Sequence, residues 1–130
     1  MEILIDASAL LAVVLNEAEK QKIVKLTQGD EICCPEIVPY EVGNALSAML
    51  KRHRLNEEQI IKSFNLFELF FLHYVEVDIA AALKIAIKHN IYAYDAYYLE
   101  AAFRLKLPLL TLDSAMKNKA NGLKIEILEV

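Results

Sequence analysis

The chain is poor in the residues that several common functional sites require. It has only three glycines in 130 residues, and none lies in a loop that could cradle a phosphate. Its three histidines, His53, His73 and His89, show no zinc-site spacing and no pairing with a serine or cysteine. These absences argue against nucleotide-binding loops, zinc sites and covalent hydrolase dyads.

Cysteines and long apolar runs are also scarce. The two cysteines, Cys33 and Cys34, are adjacent, and a disulfide between neighbouring residues is strained and rare, so we expect free thiols in a reducing compartment. No apolar run approaches the roughly 20 residues that cross a bilayer. No basic segment precedes an apolar stretch at the N-terminus. We therefore predict a cytoplasmic protein that does not bind a membrane.

The composition fits a single domain spanning residues 1–130. The chain is 56% hydrophobic, with a mean hydropathy of +0.30, which indicates either a thick core or apolar surface kept for a partner. Its 14 basic and 18 acidic residues give a net charge of −4, which is unusual for a protein that binds nucleic acid by electrostatics alone. If four acids formed one metal site, the remaining charges would balance.

Four carboxylates stand out as candidates for chemistry: Asp6 in ILIDASAL, Glu41 in PYEVGNAL, Asp95 in AYDAYYLEAA and Asp113 in LLTLDSAM. Acidic side chains without histidine or cysteine partners are hard oxygen ligands of the kind that hold Mg²⁺ or Mn²⁺ beside a phosphate. The set therefore indicates a metal-dependent enzyme that acts on nucleic acid.

Short apolar strands alternate with helices along the chain. Strands are predicted over residues 2–5, 31–34, 74–77, 108–112 and 124–128, and helices over residues 7–15, 17–28, 35–54, 57–70, 79–89, 93–105 and 114–119. Asn121-Gly122 is expected to form the turn into the last strand. This alternation predicts an α/β fold with a parallel sheet covered on both faces.

Two of the aspartates follow predicted strands. Ligands of open α/β sheets collect at the carboxyl ends of strands, where Asp6 and Asp113 fall, and each has a hydroxyl two residues away, Ser8 and Thr111. Aspartate is also a preferred helix N-cap, and for Asp6, Asp95 or Asp113 taken alone capping is the favoured explanation.

Glu41 has no such explanation, because it lies inside a predicted helix near the face that should pack inward. A carboxylate there needs a partner or a metal, since burying an unpaired charge is costly. Asn44, three residues on, shares its face and could bond Glu41 or a phosphate.

Other polar and aromatic groups are given structural roles. The side chains of Tyr92, Tyr94, Tyr97 and Tyr98 are expected to pack rather than to stack on bases. Glu100 is expected to be a solvated helix residue. The basic run from Lys51 to Arg54 is expected to end a helix rather than to contact RNA.

At these four motifs, in this order and spacing over essentially the whole chain, the sequence resembles the PIN-domain family, and within it the VapC type of toxin ribonuclease. The resemblance implies a three-layer α/β/α sandwich around a central parallel sheet, with Asp6, Glu41, Asp95 and Asp113 as both catalytic and metal-binding residues for Mg²⁺ or Mn²⁺. Ser8 and Thr111 would support the site. It further implies endonucleolytic RNA cleavage by metal-activated water, a homodimer and a cognate antitoxin as partner. Residue 114 is Ser, so no further acid follows Asp113, and the number of metal ions stays open.

Two other functions are compatible with parts of the pattern. A catalytically inactive PIN-like module would keep the fold for binding or assembly, although the intact set of four acids argues against it. A phosphotransfer domain with Asp6 as nucleophile would need a second aspartate two residues later, where the chain has Ser8.

Overall fold

A four-stranded, entirely parallel sheet lies at the centre of the computed structural model, which describes residues 1–130. The strands are β1 (Glu2–Ile5), β2 (Glu31–Pro35), β3 (His73–Val75) and β4 (Leu109–Leu110), in the spatial order β3-β2-β1-β4. Leu4 on β1 aligns with Cys33 on β2 and with Leu109 on β4. Because β1 is central and covered on both faces, Ile3, Leu4 and Ile5 are all buried, which explains its unbroken apolar sequence.

Seven helices cover the sheet in two groups. They are α1 (Ala7–Val14), α2 (Lys20–Thr27), α3 (Val38–Lys51), α4 (Glu57–Glu68), α5 (Ile79–His89), α6 (Ala93–Leu105) and α7 (Ser114–Gly122). Helix α1 packs on α2, α3 and α4, whereas α6 packs on α5 and α7 and against β1 and β2. The predicted three-layer α/β/α sandwich with a central parallel sheet is confirmed.

Side-chain caps fix where four of the helices begin. The carboxylates of Asp6, Asp78 and Asp113 each accept a hydrogen bond from the backbone N–H three residues on, at the start of α1, α5 and α7. Asn56 and Gln59 form a reciprocal capping box at the start of α4. These caps are local in sequence, which is why the pattern predicted these helix starts closely. The capping explanation for Asp95 was wrong, because Asp95 lies in the first turn of α6 and the N-cap of that helix is Tyr92.

Several predicted boundaries were wrong. Helix α3 begins at Val38 rather than at residue 35, because Pro35 still pairs with Val75 in the sheet. Helix α2 begins only at Lys20. Helix α7 continues through Gly122, so the predicted turn at Asn121-Gly122 does not form, and the chain reverses at Lys124 with φ +59°.

The predicted last strand over residues 124–128 is reduced to a single parallel bridge between Ile127 and Leu109. The N–H of Leu109 donates to the carbonyl of Glu126 at 2.8 Å, and the N–H of Leu128 donates to the carbonyl of Leu109 at 3.0 Å. Because β4 is only two residues long, its free edge offers too little backbone for a longer pairing. No helix combines the length and apolar character needed to cross a bilayer.

Candidate active site

The candidate site lies where the chain leaves β1 and β4. These neighbouring strands are parallel, so their carboxyl ends meet at one edge of the sheet, and the helices that follow them, α1 and α7, belong to different layers. A crevice at such a reversal of strand order is the usual ligand position in open α/β sheets. Asp6 follows β1, and Thr111 and Asp113 follow β4.

Asp6 is buried, with only 4% of its surface exposed, and both of its carboxylate oxygens are hydrogen-bonded. Its Oδ1 accepts from the hydroxyl of Ser8 at 2.7 Å and from the N–H of Ala9 at 3.2 Å. Its Oδ2 accepts from the hydroxyl of Thr111 at 2.5 Å. Asp6 therefore caps α1 and at the same time joins β1 to the segment after β4.

The two hydroxyls carry the network further. Ser8 Oγ accepts from the N–H of Leu112 at 3.0 Å, and Thr111 Oγ1 accepts from the N–H of Asp113 at 3.0 Å. Asp113 in turn caps α7 by accepting from the N–H of Met116 at 3.1 Å. The backbone after β4 is thus held by Ser8 from the end of β1 and by the local side chains of Thr111 and Asp113.

Glu41 reaches the site from α3. It is half-buried, and its Oε1 accepts a hydrogen bond from the hydroxyl of Tyr98 on α6 at 2.7 Å. The Tyr98 ring packs in the core with 1% exposure, as expected from the sequence, but its hydroxyl contact with Glu41 was missed. The available signal was spacing, since Tyr98 follows Asp95 by three residues and shares its helix face.

Burial and mutual repulsion raise the pKa of three of the carboxyls. Burial is the main cause for Asp6, and the charge of Asp113 raises its pKa further, while the hydrogen bonds from Thr111 and Ser8 lower it. Burial likewise raises the pKa of Asp95, again with help from the charge of Asp113.

Glu41 interacts electrostatically with two of the other carboxylates, Asp6 and Asp95. Burial raises its pKa, the hydrogen bond from Tyr98 lowers it, and the charges of Asp6 and Asp95 raise it. The contact with Glu41, together with burial, also raises the pKa of the Tyr98 hydroxyl, so the phenol stays a donor. Each of the four predicted carboxylates therefore lies within electrostatic range of at least one other.

The donor chemistry of this set fits a hard divalent cation, because it consists of carboxylate oxygens whose crowding a cation would relieve. As they stand, however, no three acidic, histidine or cysteine side chains are grouped closely enough to hold a metal ion. Binding would require the side chains of Glu41, Asp95 or Asp113 to move toward Asp6, whose own position is fixed by its hydrogen bonds.

A cleft of about 400 Å³ opens beside Glu41. It is lined by Ala7, Ser8, Leu11, Ile37, Tyr40, Glu41, Asn44, Ala45 and Tyr94. Asn44 is exposed and its side chain makes no hydrogen bond within the protein. A second cavity, of about 480 Å³, shares Ile37 and Tyr94 with the cleft but is lined by none of the four carboxylates, whereas the cleft contains Glu41.

One sequence-based expectation near the site was wrong. Glu100 is not solvated but buried, with 3% exposure. Its Oε2 accepts from the N–H of Asp78 at 3.1 Å, and its Oε1 accepts from Arg104 Nε at 2.6 Å. Arg104 also donates to the carbonyl of Glu76 at 2.6 Å, so Glu100 is retained in the interior by joining α6 to the segment before α5.

Comparison with known proteins agrees with this architecture. The PIN domain family matches residues 3–122, and the chain belongs to that family. Within it, the chain is of the VapC type: it is 30% identical over 125 residues to ribonuclease VapC3 of Pyrobaculum aerophilum, covering 92% of this chain and 95% of that one. The resemblance stated from the four motifs is thereby confirmed.

Solved structures show the same fold. The crystal structure of PAE2754 from Pyrobaculum aerophilum superimposes with a TM-score of 0.72 at 27% identity, covering 94% of this chain and 81% of that one. VapBC2 from Rickettsia felis, solved bound to a DNA fragment from its promoter, gives a TM-score of 0.66 at 17% identity, covering 99% of this chain and 98% of that one. At that identity the second likeness speaks for the fold alone.

Proposed function

We propose that this chain is a divalent-metal-dependent endoribonuclease, the toxin of a VapBC-type toxin–antitoxin pair, with residues 1–130 as a single domain. The name of its relative, ribonuclease VapC3, supports the class. The observation that carries the proposal is the buried Asp6, held between β1 and β4 by two hydroxyls and electrostatically coupled to Asp113 and Glu41.

Asp6, Glu41, Asp95 and Asp113 would hold Mg²⁺ or Mn²⁺. The metal would supply an activated water and positive charge beside the phosphate, giving 5′-phosphate and 3′-hydroxyl ends. The carboxylate of Asp6 has about four acceptor positions, of which three are occupied by Ser8, Ala9 and Thr111, so a position on Oδ2 stays free for a cation. The hydroxyls of the supporting residues Ser8 and Thr111 thus fix the orientation of the Asp6 carboxylate.

Glu41 has a similar arrangement on α3. Its Oε1 is engaged by Tyr98, whereas Oε2 has no hydrogen-bond partner within the protein and remains available to a cation. Asn44, one helical turn beyond Glu41 on the rim of the cleft, is placed to donate to a phosphate oxygen of the RNA.

The proposed partners are RNA, a cognate antitoxin and a second copy of the chain, in the cytoplasm. The surface supports protein partners, because large apolar side chains are left exposed, among them Leu69 at 80%, Phe71 at 85% and Ile87 at 82%. Burying such groups against a partner would recover the hydrophobic free energy that the isolated chain forgoes.

Cleavage of labelled single-stranded RNA with Mg²⁺ or Mn²⁺ tests the proposal. We expect cleavage that EDTA abolishes, and near-complete loss in Asp6→Asn and in Asp95→Asn. Asp78→Asn is the matched control, because Asp78 is also a capping aspartate but lies outside the site, and asparagine caps helices equally well. Retained cleavage in both site variants would refute the assignment.

The second candidate is a PIN-like binding or assembly module without catalysis. It is favoured by the spacing of the carboxylates, which lie within range of one another's charge although no three are grouped to hold a metal. This candidate predicts that Mn²⁺ gives no calorimetric binding signal and that expression does not arrest growth. The nuclease predicts a binding signal and growth arrest, and Asp6→Asn should remove each of them.

A further inference from the structure

Two exposed tyrosines flank the cleft. Tyr40 is 75% exposed and Tyr94 is 57% exposed, and both line the cleft that contains Ser8 and Glu41. Each immediately precedes a candidate carboxylate in the first turn of its helix, Tyr40 before Glu41 on α3 and Tyr94 before Asp95 on α6. Each of the two tyrosines is therefore the sequence neighbour of a residue of the candidate site.

The cleft has no basic residue in its lining that could attract RNA. None of its nine lining residues is basic, and the chain carries a net charge of −4. The lining of the cleft thus offers no lysine or arginine contact to phosphates, which is the usual source of affinity for nucleic acids. Within the cleft, uncharged contacts such as aromatic stacking on bases are left to supply affinity beyond that of a metal ion.

The ring of Tyr94 is also held in position by a neighbouring ring. Tyr94 packs edge-to-face with Tyr97, with ring centroids 5.8 Å apart and planes at 87°, and Tyr97 is half-buried. Tyr40 lies in the first turn of α3, next to Glu41. Aromatic surface left exposed at the mouth of a cleft is typical of a binding site.

We propose that Tyr40 and Tyr94 stack on unpaired bases that flank the phosphate to be cut. The cleft would thus select single-stranded RNA, because bases within a duplex are already stacked and paired and cannot reach the rings. The proposal rests on the proposed ribonuclease function and adds to it the residues that bind the bases. It replaces the sequence-based expectation of simple packing for Tyr94.

The test measures binding of a fluorescently labelled single-stranded RNA in EDTA, where nothing is cleaved, and KM and kcat with Mn²⁺. We expect Tyr40→Ala and Tyr94→Ala each to raise Kd and KM by at least about fivefold, with a smaller effect on kcat. The conservative variants Tyr40→Phe and Tyr94→Phe should retain wild-type affinity, since they keep the ring, whereas Tyr40→Leu should behave like Tyr40→Ala.

Tyr92→Ala is the matched control, because Tyr92 is 86% exposed and close in sequence but does not line the cleft. An RNA with abasic positions around the cut site gives a second measurement. It should bind the wild-type protein as weakly as intact RNA binds the double variant Tyr40→Ala/Tyr94→Ala, and combining the abasic RNA with the double variant should add little.

The outcomes separate the two proposals. If the wild-type protein cleaves RNA but the alanine variants bind as it does, base stacking is wrong and the nuclease function stands. If the protein binds single-stranded RNA through these tyrosines but does not cleave it with Mn²⁺, stacking stands and the nuclease function fails. If the alanine variants only dissociate an oligomer, measured by sedimentation, the tyrosines belong to a protein interface and the stacking proposal is overturned.

Discussion

Removing the hydroxyl of Tyr98 tests how the core of the domain supports the candidate site. Tyr98→Phe keeps the buried ring and deletes only the 2.7 Å hydrogen bond to Glu41 Oε1. A hydrogen bond to a charged group contributes about 1.5–3 kcal/mol, and because Glu41 is half-buried and can regain water, the loss should lie near the lower end, at about 1.5–2 kcal/mol. For a domain of this size that corresponds to a fall in Tm of roughly 6–8 °C.

The pH dependence of this loss has a definite sign. The Tyr98 hydroxyl lowers the pKa of Glu41, which burial holds above its ordinary value of 4.5, so the variant should raise that pKa further. The folded variant then binds more protons than the unfolded chain as pH rises, and its stability falls relative to the wild type until Glu41 is fully ionised. At pH 4.5 more than half of folded Glu41 is protonated, so the difference should be smaller there than at pH 8.

Thermal unfolding of metal-free protein at the two pH values measures both effects. Tyr97→Phe is the matched control, since Tyr97 is the adjacent residue on α6 and its hydroxyl makes no hydrogen bond within the protein. The double-mutant cycle of Tyr98→Phe with Glu41→Ala, which removes the acceptor, measures the coupling between the pair. A Tyr98→Phe variant no less stable than Tyr97→Phe at pH 8 would show that the hydrogen bond to Glu41 does not stabilise the domain.

Two further predictions concern stability. Because burial raises the pKa of Asp6, Glu41 and Asp95, metal-free protein should become less stable as pH rises toward 8 from about the ordinary pKa values of these groups, 3.8 and 4.5. Mn²⁺ should therefore raise Tm more at pH 8 than at pH 5. An equal effect of Mn²⁺ on Tm at the two pH values would contradict this prediction. Glu100→Ala should lower the free energy of unfolding in urea by about 2–3 kcal/mol, because it leaves the N–H of Asp78 and the guanidinium of Arg104 without their carboxylate partner. The control Glu129→Ala removes a surface ion pair and should cost no more than about 0.5 kcal/mol. Similar costs for the two variants would show that the buried contacts of Glu100 contribute little.

Much of the fold could be predicted from local pattern. The strand at Glu2–Ile5 and the helices at Ile79–His89 and Ala93–Leu105 were predicted with their observed bounds. The failures occurred where pairing decided the outcome: Pro35 stayed in β2, and residues 124–128 had only the two-residue edge of β4 to pair with. A strand needs a partner backbone, and its partner's length cannot be read from its own residues.

The candidate site shows the same division. Local pattern was enough to identify the four carboxylates, the capping roles of Asp6 and Asp113 and the unexplained glutamate at position 41, because caps and helix faces depend on residues within about four positions. The folded chain was needed to show that Thr111 bonds Asp6 across 105 residues, that Tyr98 bonds Glu41 across 57, and that Glu100 is buried. Such contacts depend on how strands and helices pack, which is settled by the whole core at once rather than by any single segment.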